Sequence, residues 1–186
     1  MTRLLELSNA IKRLLERIAF ASGWLLIVLM CVTCIDVFGR KLGIPIPLTK
    51  FQELEWHLHT TVFSMWMGYN YTINAHPRVD SYTETFKYRT KAWVELVGLL
   101  VLALPFMTVM VYHGWNFLRM SYVQGEGSEN VLGLDNRWII KGVFYIGLWL
   151  VLLGIISVLI RILAFLFAGR TQEESGLEIG HAELEV

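Results

Sequence analysis

Four long apolar runs separated by short polar stretches organise the chain, and a segment of different periodicity precedes them. In that leading segment Leu4, Leu7, Ile11, Leu14, Leu15 and Ile18 recur at helical spacing, with Arg3, Glu6, Lys12, Arg13, Glu16 and Arg17 between them. The spacing predicts an amphipathic helix over 1–17 that lies in a membrane interface, cations toward the headgroups, before turning into the first span. The spans are predicted at about 18–37, 51–75, 93–113 and 139–161, each near the roughly 20 residues that cross about 30 Å of hydrocarbon. The third contains Pro105, which predicts a kink. In the fourth, Lys141 and Arg161 bound an uncharged stretch and mark opposite interfaces. The predicted fold class is therefore an all-α integral membrane protein, a four-transmembrane-helix bundle with an N-terminal amphipathic interfacial helix. Its membrane domain covers 18–168, and 169–186 reads as a disordered cytoplasmic tail carrying Glu173, Glu174, Glu178, Glu183 and Glu185.

Composition supports this: 55% of the 186 residues are hydrophobic and 17% charged, outside the usual soluble balance. The 16 Lys and Arg are matched by 16 Asp and Glu, and no basic stripe interleaved with aromatics occurs, so nucleic acid is not expected as a partner. An even number of spans puts both ends on one side. Of the 16 cations, Arg3, Lys12, Arg13, Arg17, Arg78, Lys87, Arg89, Lys91, Arg161 and Arg170 fall on that side, and Arg40, Lys41, Lys50, Arg119, Arg137 and Lys141 on the other. Positive residues concentrate inside, so both termini are expected to be cytoplasmic. The residues after the first span do not resemble a cleavage site, so the N-terminus is expected to be retained.

Ionisable residues at span ends are the places to look for chemistry. Asp36 precedes Arg40 by one turn, which predicts a local ion pair, and Glu95 follows Lys91 at the same spacing. At the start of the second span Glu53 reaches His57 and Glu55 reaches His59, giving two carboxylate–imidazole faces. Metal binding there would need ligands from another helix, with His113 and Asp36 as candidates. Alternatively His57 or His59 could pair with His113 across a haem, as in a four-helix cytochrome b. Cys31 and Cys34 spell a CxxC, but one turn apart within a helix they cannot easily reach disulfide geometry, and small core residues are the simpler reading. No phosphate loop, serine elbow or HExxH occurs, so no enzyme chemistry is expected, nor any cofactor. Glu126, Glu129, Asp135 and Arg137 make the connection between the third and fourth spans either a docking surface or an ordinary solvated loop.

Several segments resemble one family. These are Asp36-Val37-Phe38-Gly39-Arg40, Phe51-Gln52-Glu53-Leu54-Glu55-Trp56, His76-Pro77-Arg78-Val79-Asp80, and Gly125-Glu126-Gly127-Ser128 leading to Arg137-Trp138-Ile139-Ile140-Lys141. In this order against four spans they resemble the small membrane subunit (DctQ-like) of tripartite ATP-independent periplasmic (TRAP) transporters; His57 and His59 depart from the small or apolar residues more usual there. The resemblance implies a scaffold subunit in the bacterial inner membrane. Its partners would be a large membrane subunit (DctM-like), which moves an organic acid on a sodium gradient, and a periplasmic substrate-binding protein (DctP-like). No inverted repeat or broken helix pair of a complete transporter core is visible. On this reading Glu53 and Glu55, with Trp56, His57 and His59, dock the large subunit or brace the first helix through Arg40. His76, Arg78 and Asp80 order the turn between the second and third spans.

Overall fold

The computed structural model describes residues 2–75 and 85–179; His76, Arg78 and Asp80 lie outside them. The described residues are all-α, with seven helices: α1 Thr2–Gly23, α2 Leu25–Leu42, α3 Leu48–Thr72, α4 Tyr88–Gly98, α5 Leu104–Val123, α6 Trp138–Phe167 and α7 Gln172–Ser175. A π-helical turn, Leu99–Ala103, joins α4 to α5. Three segments are long and apolar enough to cross a membrane: Thr2–Leu42, Tyr88–Val123 and Trp138–Phe167. Helix α3 has 25 residues, a length of about 37 Å, but Glu53, Glu55, His57 and His59 dilute its first half. The chain packs as two units, Arg17–Trp66 with Met110–Trp149, and Met1–Glu16 with Met67–Val109 and Leu150–Val186.

No turn separates the amphipathic segment from the first apolar run, because no glycine or proline interrupts residues 10–22. The ladder loosens only at Trp24. There the Ala19 carbonyl, the partner expected for the Gly23 amide, also accepts from the Ser22 hydroxyl at 2.9 Å and from Trp66 Nε1 at 2.8 Å. Helix α2 ends at Gly43 in the left-handed region (φ 65°), with the Ile44 amide donating to the Gly39 carbonyl at 3.0 Å. Gly39 is itself required. A Cβ there would lie 2.8 Å from Leu48 Cδ2, where the chain folds back into α3.

In the first unit α3 and α6 approach closely through small residues: a Cβ on Gly147 would lie 2.9 Å from the Ser64 carbonyl oxygen. Gly114 likewise admits Leu148 and Tyr145 against α5. In the second unit Gly154 meets the carbonyl of Gly68, and Leu15, Leu99, Ile155 and Ile162 are nearly or wholly buried. The kink expected from Pro105 takes the form of the π turn just before it. Proline offers no N–H to the carbonyl four residues back, and the wider turn absorbs the clash of its ring.

The tail differs from expectation. Thr171 caps α7 through a capping box with Glu174, and Ser175, Leu177 and Ile179 are buried. Arg161, expected as an interface marker, is a buried clamp within the chain. Its guanidinium donates to Ser8 Oγ (2.9 Å), Asn9 Oδ1 (2.7 Å) and the Gly176 carbonyl (2.6 Å), while Lys12 pairs with Glu178 at 2.8 Å. The Tyr88 hydroxyl adds a bond to the Leu177 carbonyl at 2.7 Å. Residues 180–186 lie outside the described chain.

Candidate functional site

Asp36, Arg40, Glu53, Glu55 and the polar residues of the α5–α6 connection belong to the unit built from Arg17–Trp66 and Met110–Trp149. The centre of this cluster is Glu53, on the second turn of α3 and 4% exposed. It does not reach Arg40. Its carboxylate accepts from the Ser128 hydroxyl, from Asn130 Nδ2 at 3.2 Å and from the Leu134 amide at 2.5 Å, all on the α5–α6 connection. Ser128 in turn accepts from the Asn130 amide at 3.0 Å. A burial this complete is tolerable because three donors replace water around the charge. Gly133 makes room for it, since a Cβ there would come within 2.6 Å of Glu53 Oε1.

Asp36 and Arg40 form the expected ion pair, Nε to Oδ2 at 2.8 Å. The guanidinium continues to Gln52 Oε1 (3.2 Å) and the Leu48 carbonyl (3.5 Å), so its hydrogen bonds brace α2 against the start of α3 through Gln52, with the Glu55 charge adding attraction. Glu55 is half-buried, and its Oε1 has no hydrogen-bond donor among the described residues; the same holds for Asp36 Oδ1.

The carboxylate–imidazole pairing expected between Glu53 and His57 is absent. His57 Nδ1 instead lies 2.6 Å from the backbone carbonyl of Glu53, and its ring stacks on Trp56 at 4.1 Å. His59 is exposed, and His113 packs edge-on against Tyr112. Cys31 and Cys34 are free and exposed, not core residues. Among the described residues no three His, Cys, Asp or Glu side chains gather as metal ligands.

Of the loop residues expected to dock a partner, two are engaged internally. Glu126 pairs with Lys141, and its main-chain carbonyl accepts from the Arg137 amide at 2.9 Å. The Lys141 ammonium, with the Arg137 charge behind it, holds the Glu126 carboxyl below its ordinary value. Arg137 lies over the Trp56 ring, 5.9 Å from its centroid, and 4.0 Å from Glu129. Glu129 and Asp135 are exposed. Trp56, Thr60, Phe117, Glu126, Arg137 and Lys141 help line a cleft of about 220 Å³. Ser128, Asn130 and Leu134 were not anticipated as partners of Glu53; Gly133 was the only local hint of a close approach.

These features define a multi-pass, all-α membrane protein whose polar groups tie its helix ends and loop together. The sequence model of the family described as "Tripartite ATP-independent periplasmic transporters, DctQ component" matches residues 29–165. The chain belongs to that family, and is thus the small-subunit component of such a transporter, working with partner subunits. This is a transporter component and not an enzyme family, and the cytochrome alternative, built on His57, His59 and His113, finds no support. No curated protein and no solved structure matches the chain.

Proposed function

We propose that the chain is the stationary scaffold of a binding-protein-dependent, sodium-gradient-driven uptake system for organic acids in a bacterial inner membrane. It crosses the bilayer four times, α3 being the second crossing, with both termini cytoplasmic. It stabilises a large transport subunit (DctM-like) laterally, and the α5–α6 loop faces the periplasm, where a soluble binding protein (DctP-like) docks. It performs no catalysis.

The observation that carries this is the uneven burial of the apolar helices. Over half of the apolar window of Trp138–Phe167 is buried within the chain (56%), against 17% for both Thr2–Leu42 and Tyr88–Val123. Val97, Leu100, Val101, Leu102 and Phe106 around the π turn are all about half exposed or more. A large share of the apolar helix surface is therefore left for lateral contacts, which suits a wall against which a bigger membrane subunit rests. The charged side chains meanwhile make helix-end and loop contacts, as a scaffold without its own solute path requires.

The test is co-expression with the large subunit, purification, and reconstitution of the pair with the binding protein. Omitting this chain should abolish uptake and lower the recovery of the large subunit. Undiminished uptake in its absence rejects the proposal.

A further inference from the structure

The α5–α6 connection is tied down by hydrogen bonds, yet it leaves two large apolar side chains exposed. Between Asn130 and Leu134, both bonded to the buried Glu53 carboxylate, stand Val131 and Leu132, 102% and 65% exposed. The Gly133 amide donates to the Asn130 carbonyl at 2.9 Å, closing the turn beneath them. A loose loop would fold such side chains inward, since each Å² of apolar surface kept in water costs about 25 cal/mol. Here three hydrogen bonds to a charged acceptor hold them out.

The charged side chains that stand exposed around this tip are acidic. Glu129, with its side chain 92% exposed, and Asp135 point outward, whereas Arg137 and Lys141 are drawn inward to 22% and 16% exposure. The presented surface is thus an apolar knob with an acidic rim. A bilayer is a poor occupant. The Tyr122–Trp138 ring pair, 5.4 Å between centroids, joins the ends of α5 and α6 with the aromatic types favoured at a membrane interface, and the tip lies beyond it in sequence on both sides.

We propose that Val131 and Leu132, presented by the Glu53-anchored loop, are the contact on which a water-soluble protein docks through an apolar dimple ringed by Lys and Arg. This rests on the reading above that the loop faces a soluble binding protein. The knob governs how long the partner stays, and the acidic rim its salt-dependent approach.

The test uses the assembled complex with the large subunit in nanodiscs and the purified binding protein of the same transporter. Val131→Asp with Leu132→Asp should weaken binding about tenfold or more, with the large subunit co-purifying at the unaltered yield. Glu129→Lys should weaken it at low salt and converge with the unaltered complex at high salt. A photo-cross-linker at Val131 should capture the binding protein. Equal affinity of the double variant, with the Leu134 amide still protected from exchange, overturns the proposal, as does cross-linking of position 131 to lipid or to the large subunit. Failure of the unaltered chain to co-purify with the large subunit would instead sink the scaffold reading and leave the knob's chemistry to another partner.

Discussion

Replacing Glu53 by Gln alters one oxygen in a buried site and should release the loop. The amide keeps one carbonyl oxygen for the Leu134 amide, but its NH2 group then faces the Ser128 hydroxyl, which can rotate to accept, and Asn130 Nδ2, a donor that loses its acceptor. At least one hydrogen bond to a charged acceptor is lost, roughly 1.5–3 kcal/mol, and a buried donor left unsatisfied adds about 1–3 kcal/mol. Water entering the opened loop recovers part of this, so we expect a net loss of about 3 kcal/mol, close to a hundredfold rise in the open population. Hydrogen exchange in nanodiscs reads this directly. The Leu134 amide should lose about two orders of magnitude of protection while the α6 core, around Ile155 and Val158, is unchanged. Glu55→Gln provides the control, because Glu55 makes none of these loop bonds. Protection at Leu134 within threefold of the unaltered protein would refute the assignment of Glu53 as the anchor.

Two glycines offer an opposed pair. Gly154→Ala places a Cβ 2.6 Å from the Gly68 carbonyl oxygen and should destabilise by about 1–3 kcal/mol, whereas Gly98→Ala meets nothing within 4 Å and should be neutral or stabilise by up to about 1 kcal/mol. Melting temperatures in detergent would separate them. Arg161→Met removes the donors to Asn9 and Gly176, so residues 171–179 should become accessible to protease while α6 stays intact; unchanged cleavage would contradict the clamp. The Glu126 carboxyl sits below its ordinary value of 4.5 because of Lys141 and Arg137. A lowered carboxylate stabilises fully above that value and loses its contribution as the pH falls through the shifted one. The protection factors of the loop amides should therefore fall as the pH drops through the range below 4.5, and Lys141→Met should shrink this step.

The sequence made the helices legible because membrane solvation demands long apolar runs, and three of the four predicted spans coincide with helices long and apolar enough to cross. The Asp36–Arg40 pair was equally legible, since its spacing alone brings the groups together. Glu53 was not. Its partners lie 75 to 81 residues away, and only the fold of the α5–α6 loop reveals that it serves an anchor and not Arg40. The clamp at Arg161 was hidden for a related reason. A cation ending an apolar run reads as an interface marker, yet Ser8, Asn9 and Gly176 supply acceptors that let it be buried. The described part of the tail did carry signals, the Thr171–Glu174 capping box and the apolar Leu177 and Ile179, which the surrounding glutamates outweighed.

The central claim is that this chain steadies a larger transport subunit while carrying no solute itself. Uptake by proteoliposomes holding the large subunit and binding protein, with and without this chain, tests it most directly. The account predicts transport only when the chain is present, and none from the chain with the binding protein alone. Sodium-driven uptake by vesicles containing this chain without the large subunit would contradict it.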